Sequence, residues 1–459
     1  MRRFMLSFSL VSLFCLQGIC QIGNVQQDKL YGLWLGVLEV TAQMKLQLAF
    51  QFESDSTGSL SAKMNVIEQN AFDIPMNSCV LSGDSIHIRF DQAGIRYDGM
   101  YISGRDIIQG IYSQGGGKFR LDLSRVDELP LKVNRPQTPV RPFPYKEEEV
   151  KFSNDKAGIL LAGTLTMPEE GHHFPALVLI AGSGRNDRNE TEMGHFLLLS
   201  DFLTRQGYAV LRYDKRGIGE SQGDYGAATT FDFADDARAA FGFLKSRPGI
   251  DPERTGLLGH SEGALIAPII AADSGEGVAF IIMMGGIGVP GSSLLLMQSR
   301  KISEINGIPE EKINQTIKKN QALYQIAESH GSDSVLREKM KRVYPDISDP
   351  MARMLLSPWF RTFLSIDPDV YISQVTCPVL AITGEHDVQC DAEQNLTAIE
   401  ASLKKGGNSN FRVEALPGLN HLFQTSDTGS PYEYNRLEEI IAPVALDLIL
   451  DWLNGVTAQ

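Results

Sequence analysis

The chain has 459 residues but five cysteines, and its cationic side chains are outnumbered, 42 Lys and Arg against 56 Asp and Glu. A net charge of -14 opposes a polyanionic partner, because phosphate binding draws on clustered Lys and Arg that displace counterions. Nucleic acid is therefore not an expected partner. Cys and His pairs at structural zinc spacing are missing, and His172-His173 sits in a loop pattern that reads as solvated. No metal or other cofactor is implied. Beyond the first twenty residues no apolar run is long enough to span a bilayer. With 43% hydrophobic and 21% charged residues, 43 Gly and 21 Pro, the chain is neither disordered, collagen-like nor a helical rod. It reads as a mixed globular protein of two or three domains.

Residues 1–20 have the layout of a signal peptide: Met1-Arg2-Arg3 precedes an apolar run over 4–16 that is too short to cross a bilayer. Gly18 and Cys20 are small residues where a signal peptidase reads, which places the cut after Cys20. The alternative is a lipoprotein acylated on Cys20, which Ile19 and Gln17 fit poorly. Export, to the periplasm or beyond, is the expectation. It would leave Cys79, Cys377 and Cys390, too few for a disulfide framework. Cys377 and Cys390 flank one apolar run that would hold them apart, so free and mostly buried thiols are expected.

An accessory antiparallel β domain is expected over 21–125. Leu46, Leu48, Phe50 and Phe52 alternate with Lys45, Gln47, Gln51 and Glu53, and the same period of two recurs at Leu60, Ala62, Met64 and Val66, then at Ile86, Ile88 and Phe90. A small barrel or sandwich follows from this pattern. Trp34 and Tyr97 line a ligand groove on one reading and fill core or rim on the other. Five prolines over 126–148 favour an extended linker. From 149 to 459, apolar runs at 176–181, 208–213, 255–259, 278–284 and 379–383 alternate with helical patterns such as 231–246 and 438–453, which is the writing of a buried parallel sheet between helices. The strand signal stops over about 292–366, where a helical lid is expected, or else a bundle serving stability. Met351, Leu355, Leu356, Trp359, Phe360 and Phe363 would line an acyl pocket or form the core of that lid.

Gly259-His260-Ser261-Glu262-Gly263 follows an apolar strand and precedes a small-residue helical run, the setting that forces a serine into a strained turn with its hydroxyl presented above a sheet. A serine hydroxyl needs an imidazole to take its proton and a carboxylate to orient that imidazole. Asp387 in the turn after the 379–383 strand is the favoured acid and Glu385 its competitor. His421 is the histidine well beyond the acid strand, and the rival His386 is too close to the acid to serve both partners. His260 is expected to pack beneath the turn. The oxyanion donors expected are the backbone N–H of Glu262 and that of Ser183, with Gly182 as the alternative to Ser183.

These features resemble the α/β-hydrolase superfamily over roughly residue 147 to the end. Gly182-Ser183-Gly184 followed by Asp187-Arg188, then Tyr213-Asp214-Lys215-Arg216-Gly217-Ile218-Gly219, and the Ser261 turn itself are similar to bacterial acyl esterases of the serine-aminopeptidase-like branch. Some members of that branch carry an extra N-terminal β domain, and Ala181 stands where many have His. The resemblance implies an α/β-hydrolase fold and serine hydrolysis; together with the signal-peptide pattern and the apolar stretch 351–363 of the helical lid, the expectation is an exported serine carboxylesterase acting on small or medium acyl groups. The implied partner is a small-molecule ester, of which an acylated glycan is one example. A dipeptidyl or acylaminoacyl peptidase remains the alternative, and from another class, an inert ligand-binding protein. Asp214 and Arg216 are expected to brace their turn as an ion pair.

Overall fold

The computed structural model describes residues 27–41, 44–69, 71–130, 133–190 and 193–458, so the expected signal peptide lies outside the described residues. The chain divides into two compact units whose main parts are residues 45–131 and 132–459.

The first unit is a nine-stranded antiparallel sheet. Its strands are β1 (Gly32–Glu39), β2 (Lys45–Ser54), β3 (Leu60–Val66), β4 (Ala71–Pro75), β5 (Ser78–Ser82), β6 (Ser85–Phe90), β7 (Ile95–Ile102), β8 (Ile107–Gln114) and β9 (Gly117–Val126). Their spatial order is β4-β3-β2-β1-β9-β8-β7-β6-β5. The two edges, β4 and β5, are consecutive in sequence and joined by Met76 and Asn77. Met76 N–H donates to Ala62 O (3.0 Å) on β3, and Asn77 N–H to Arg89 O (2.9 Å) on β6. A sheet whose opposite edges are linked by two residues must curl, and curling protects the edges from further pairing. The period-two residues point inward as expected. Trp34 and Tyr97 are both fully buried and fill the core instead of lining a groove. Gly99 and Gly110 make the space: a Cβ at Gly110 would lie 2.5 Å from the Tyr97 ring. The phenol donates to Leu121 O (3.1 Å) and the Trp34 indole to Leu30 O (2.7 Å), so neither buried polar atom is orphaned.

The proline-rich stretch is not a free spacer. Arg135 donates to Leu437 O (2.8 Å), and Gln137 donates to Ile441 O (2.7 Å) while accepting from Ile440 N (2.5 Å), fastening 133–144 to the second unit. These same bonds hold 437–442 as a loop. The last helix accordingly begins at Pro443, not near 438, with proline at its first turn, where a missing N–H costs nothing.

The second unit has an eight-stranded sheet of β10 (Tyr145–Asn154), β11 (Ile159–Pro168), β12 (Phe174–Ile180), β13 (Ala209–Tyr213), β14 (Ile250–His260), β15 (Ile281–Met284), β16 (Val379–Gly384) and β17 (Phe411–Leu416). The order is β10-β11-β13-β12-β14-β15-β16-β17. β10 and β11 are antiparallel and the rest parallel, so the expected parallel sheet carries an antiparallel hairpin at one edge. Helices α1 (His195–Arg205), α2 (Thr230–Lys245), α3 (Glu262–Ala271), α4 (Gly291–Ile305), α5 (Glu310–Glu328), α6 (Asp333–Val343), α7 (Asp349–Leu355), α8 (Pro358–Ser365), α9 (Asp369–Ile372), α10 (Ala392–Lys405) and α11 (Pro443–Thr457) complete the unit. Along β12 alternate side chains enter opposite cores: Val178 and Ile180 join the layer under α2, α3 and α10, and Leu177 and Leu179 that under α1 and α11. Both faces are covered, which is why these strands read as unbroken apolar runs.

Helices α4 to α8 form the expected insertion between β15 and β16. They have their own core, with Leu323, Leu336, Met340, Leu355, Leu356 and Phe360 packed together. Leu355, Leu356 and Phe360 are thus lid core, whereas Trp359 and Phe363 reach the site described next.

Candidate active site

Ser261 follows β14 and caps α3 with φ 55° and ψ -116°, a left-handed backbone that a non-glycine residue adopts only when its surroundings enforce it. Two glycines do so. A Cβ on Gly259 would fall 2.0 Å from Gly263 O, and one on Gly263 would fall 1.9 Å from Ile180 O, so strand and helix approach closely here. Ser261 N–H donates to Met284 O (2.8 Å), leaving the side chain at the carboxyl edge of the sheet.

Asp387, in the turn after β16, accepts at Oδ1 from the backbone N–H of Gln389 and of Cys390, both at 2.8 Å. Its Oδ2 lies 2.7 Å from His421 Nδ1. Both residues are buried. The loop carrying His421 is shaped by Asn420, whose Oδ1 accepts from Leu422 N and Gln424 N at 3.0 Å each. Gly285, at φ 58°, makes room, since a Cβ there would lie 3.1 Å from His421 Cε1. Glu385 is exposed, and His386 turns its Nδ1 to Ser426 O (2.7 Å). The structure therefore brings Asp387, not its competitor, to His421.

Ser183 lies on the same cavity as Ser261 and His421. The carbonyl of Gly182 accepts from Lys215 Nζ (2.6 Å) and Asn186 Nδ2 (3.0 Å). A planar trans peptide then aims the Ser183 N–H the opposite way. Glu262 follows Ser261 with its carboxylate fully buried among three donors: Lys215 Nζ (3.3 Å), Thr230 Oγ1 (2.8 Å) and Trp359 Nε1 (2.7 Å). Lys215 thus ties the Gly182 turn to the residue after the serine. Sequence reasoning missed Lys215 as a part of this site; it offered Trp359 as acyl-pocket or lid-core residue, but not as a donor to Glu262.

His260 does pack beneath the turn, its ring 4.8 Å from that of His421 and its Nε2 2.9 Å from His421 O. Burial, with His421 and His195 nearby, holds it well below the usual imidazole range. Cys390, buried, borders the same small cavity as Ser261, a neighbour the sequence did not reveal. All three described cysteines are free, and burial pushes the Cys79 and Cys377 thiols up to about 12. His172 and His173 are exposed.

The expected Asp214–Arg216 pair does not form. Asp214 pairs with Arg188 (2.7 Å) and accepts its backbone N–H (2.7 Å), while Arg216 pairs with Asp236 (2.7 and 2.8 Å). Each residue meets a partner brought from a different segment.

Two cavities meet at Ser261. The larger, about 670 Å³, is bordered by Asn186, Asp187, Glu190, His195, Gln389 and Asn435 among others. The smaller, about 50 Å³, is closed by Ile287, Leu294, Leu295, Trp359 and Phe363.

A doubly covered, mainly parallel sheet with a serine on a strained strand-to-helix turn defines an α/β hydrolase. Comparison with known proteins places it further. The family description "serine aminopeptidase, S33" matches residues 178–425, and the chain belongs to that family. Esterase EstD of Thermotoga maritima is 28% identical over 320 residues, covering 68% of this chain and 69% of that one. YfhR of Escherichia coli K12 is 28% identical over 182 residues, covering 37% and 62%. Among solved structures, a Pyrococcus furiosus esterase aligns with 15% identity, covering 71% of this chain and 97% of that one, at a TM-score of 0.44. The chain is an esterase-like hydrolase of the S33 family.

Proposed function

We propose that the protein is an exported serine esterase in which Ser261 attacks the ester carbonyl, His421 carries the proton and Asp387 orients the imidazole. The 2.7 Å contact between His421 and Asp387, beside a strained serine on the same cavity, carries this reading. Asp387 Oδ1 already accepts two amides, so Oδ2 is the acceptor left for His421 Nδ1–H. That tautomer leaves His421 Nε2 with the lone pair that deprotonates Ser261. The backbone N–H groups of Ser183 and Glu262 then receive the oxyanion, each worth about 2.7–4 kcal/mol in the transition state. The alcohol leaves with the proton from His421, and water clears the acyl-enzyme by the same relay.

The closed pocket of about 50 Å³ holds a few water-sized volumes, which suits an acyl group of two or three carbons. The larger, polar cavity suits a hydroxyl-rich alcohol such as a sugar of an acylated glycan. Export rests on the basic start and short apolar run of residues 1–20. N-terminal sequencing of protein recovered outside the cytoplasm should begin at Gln21.

One observation favours peptide cleavage as a second reading: Asp187 and Glu190 border the larger cavity and offer negative charge to a substrate ammonium. The lid acids do not, since Glu304 and Glu310 pair with Arg300, and Glu311 and Asp349 are exposed. A panel of p-nitrophenyl esters of increasing acyl length, beside aminoacyl and dipeptidyl anilides, separates the readings. Acetyl or propionyl esters should give the highest kcat/KM. Higher values on the anilides, lost in Ser261→Ala, would replace the esterase with a peptidase.

A further inference from the structure

We propose that Glu190, His195 and His260 form a binding site for a zinc ion, or a similar borderline first-row divalent cation, on the wall of the larger cavity. The argument begins with which ring nitrogens carry protons. His195 Nε2 lies 3.2 Å from Leu422 O and His260 Nε2 lies 2.9 Å from His421 O. A carbonyl oxygen can only accept, so both Nε2 atoms are N–H groups, and in the neutral rings both Nδ1 atoms present lone pairs. His195 is 1% exposed and His260 4%, and His195 Nδ1 is buried without a hydrogen-bond partner. The Glu190 carboxylate stands 3.3 Å from it. Two lone pairs and an anion converge, and a cation is the group that satisfies all three.

The spacing fits. One ligand atom from each residue lies within 4.8 Å of the other two. Around tetrahedral zinc at about 2.1 Å, ligand atoms sit about 3.4 Å apart, so each would shift by under about 1 Å. Both imidazoles already donate their other nitrogen to a backbone carbonyl, the support that fixes a metal-binding histidine. Glu190, His195 and His260 all border the larger cavity, leaving a fourth position for water from that side. The carbonyls come from consecutive residues, 421 and 422, so a bound ion would also stiffen the loop that carries His421.

A second group with similar spacing, Asp387, Cys390 and His421, is a poorer site. Its His421 Nδ1 is committed to Asp387 Oδ2, and Asp387 Oδ1 accepts two amides, so no vacancy remains.

The test uses the full chain, stripped with a chelator and titrated with Zn2+ in a calorimeter and with Co2+ in a spectrophotometer, independently of any hydrolytic activity. We expect one ion per chain and a cobalt spectrum without a thiolate charge-transfer band. Glu190→Gln and His195→Gln should each weaken Zn2+ binding at least tenfold, and Cys390→Ser should leave it unchanged. Absence of stoichiometric binding in the parent protein would overturn the proposal. So would a thiolate–cobalt band, or Zn2+ binding that Glu190→Gln leaves intact. Should His195→Gln fail to fold, the partly exposed Glu190→Gln still decides.

Discussion

The indole N–H of Trp359 donates to the buried carboxylate of Glu262 at 2.7 Å, joining lid helix α8 to the residue that follows Ser261. Glu262 also bonds Lys215 and Thr230, so its charge is held by three donors from three separate segments. Trp359→Phe keeps the ring and removes one donor. The variant should lose about 1.5–3 kcal/mol of stability, the range for a hydrogen bond to a charged group, and its kcat on short esters should fall as the first turn of α3 loosens. Urea unfolding and steady-state kinetics check both. Unchanged stability and kcat would mean that the lid bond does not position the Glu262 amide.

Ser261→Ala and His421→Ala should each lower kcat by several orders of magnitude; Ser261→Ala should keep the parent's circular-dichroism spectrum and melting temperature, whereas His421→Ala, which leaves the buried Asp387 carboxylate without its partner, should also melt lower. Asp387→Asn should also fall by orders of magnitude, because the amide would favour the wrong tautomer of His421. Glu385→Gln, at an exposed side chain, should stay near parental activity. The reverse ranking of the two acid variants would move the role to Glu385.

A chain beginning at residue 133 should fold and turn over short esters, because it keeps Arg135 and Gln137 bound to the loop before α11 and keeps the whole of β10. A chain beginning at residue 149 should be unstable. It loses those bonds and Tyr145, whose hydroxyl donates to Asp201 at 2.8 Å. Thermal melting of the two truncations tests this, and equal melting temperatures would remove any stabilising role for 133–148.

Burial raises the Asp214 carboxyl, but the hydrogen bond from Arg188 and the amides of Glu220 and Arg188 outweigh it and hold the group below the usual carboxylate range. A carboxyl lowered in the folded state contributes stability that is present above its unfolded value, about 3.9, and disappears as the pH falls through the lower folded value. Asp214→Asn should therefore cost on the order of 3 kcal/mol at pH 7, since it leaves Arg188 short of a buried partner. The gap between parent and variant should narrow as the pH drops below about 4. Urea midpoints at pH 7, 4.5 and 3.5 measure it. A gap constant across that range would argue against the ionised pair.

Much of the architecture was legible because it is written locally. A period of two marks a strand with one buried face, as in Leu46, Leu48, Phe50 and Phe52, and unbroken apolar runs mark strands covered on both sides. Ser261 could be singled out because its turn requires glycines at 259 and 263 and a strand and helix on either side. Asp387 was favoured over Glu385 for its place in the turn after a strand, and it is Asp387 that lies 2.7 Å from His421 while Glu385 is exposed.

What the sequence determined by itself, then, was the order of elements, the elbow and a short set of chemically suitable partners. Tertiary structure decided which partners meet. Asp214 and Arg216 are two residues apart, yet each pairs with a group brought in by another segment, because a buried charge is satisfied by whatever packing places within reach and not by its sequence neighbour. The apolar stretch 351–363 was divided between lid core and the small cavity at Ser261 by the packing of α5 and α6 against α7 and α8. Lys215 and Cys390 gathered around Ser261, and Glu190 and His195 around His260, with no spacing signal along the chain. Local periodicity records only which face of an element is buried; the neighbour on that face is set by the crossing of elements far apart in sequence.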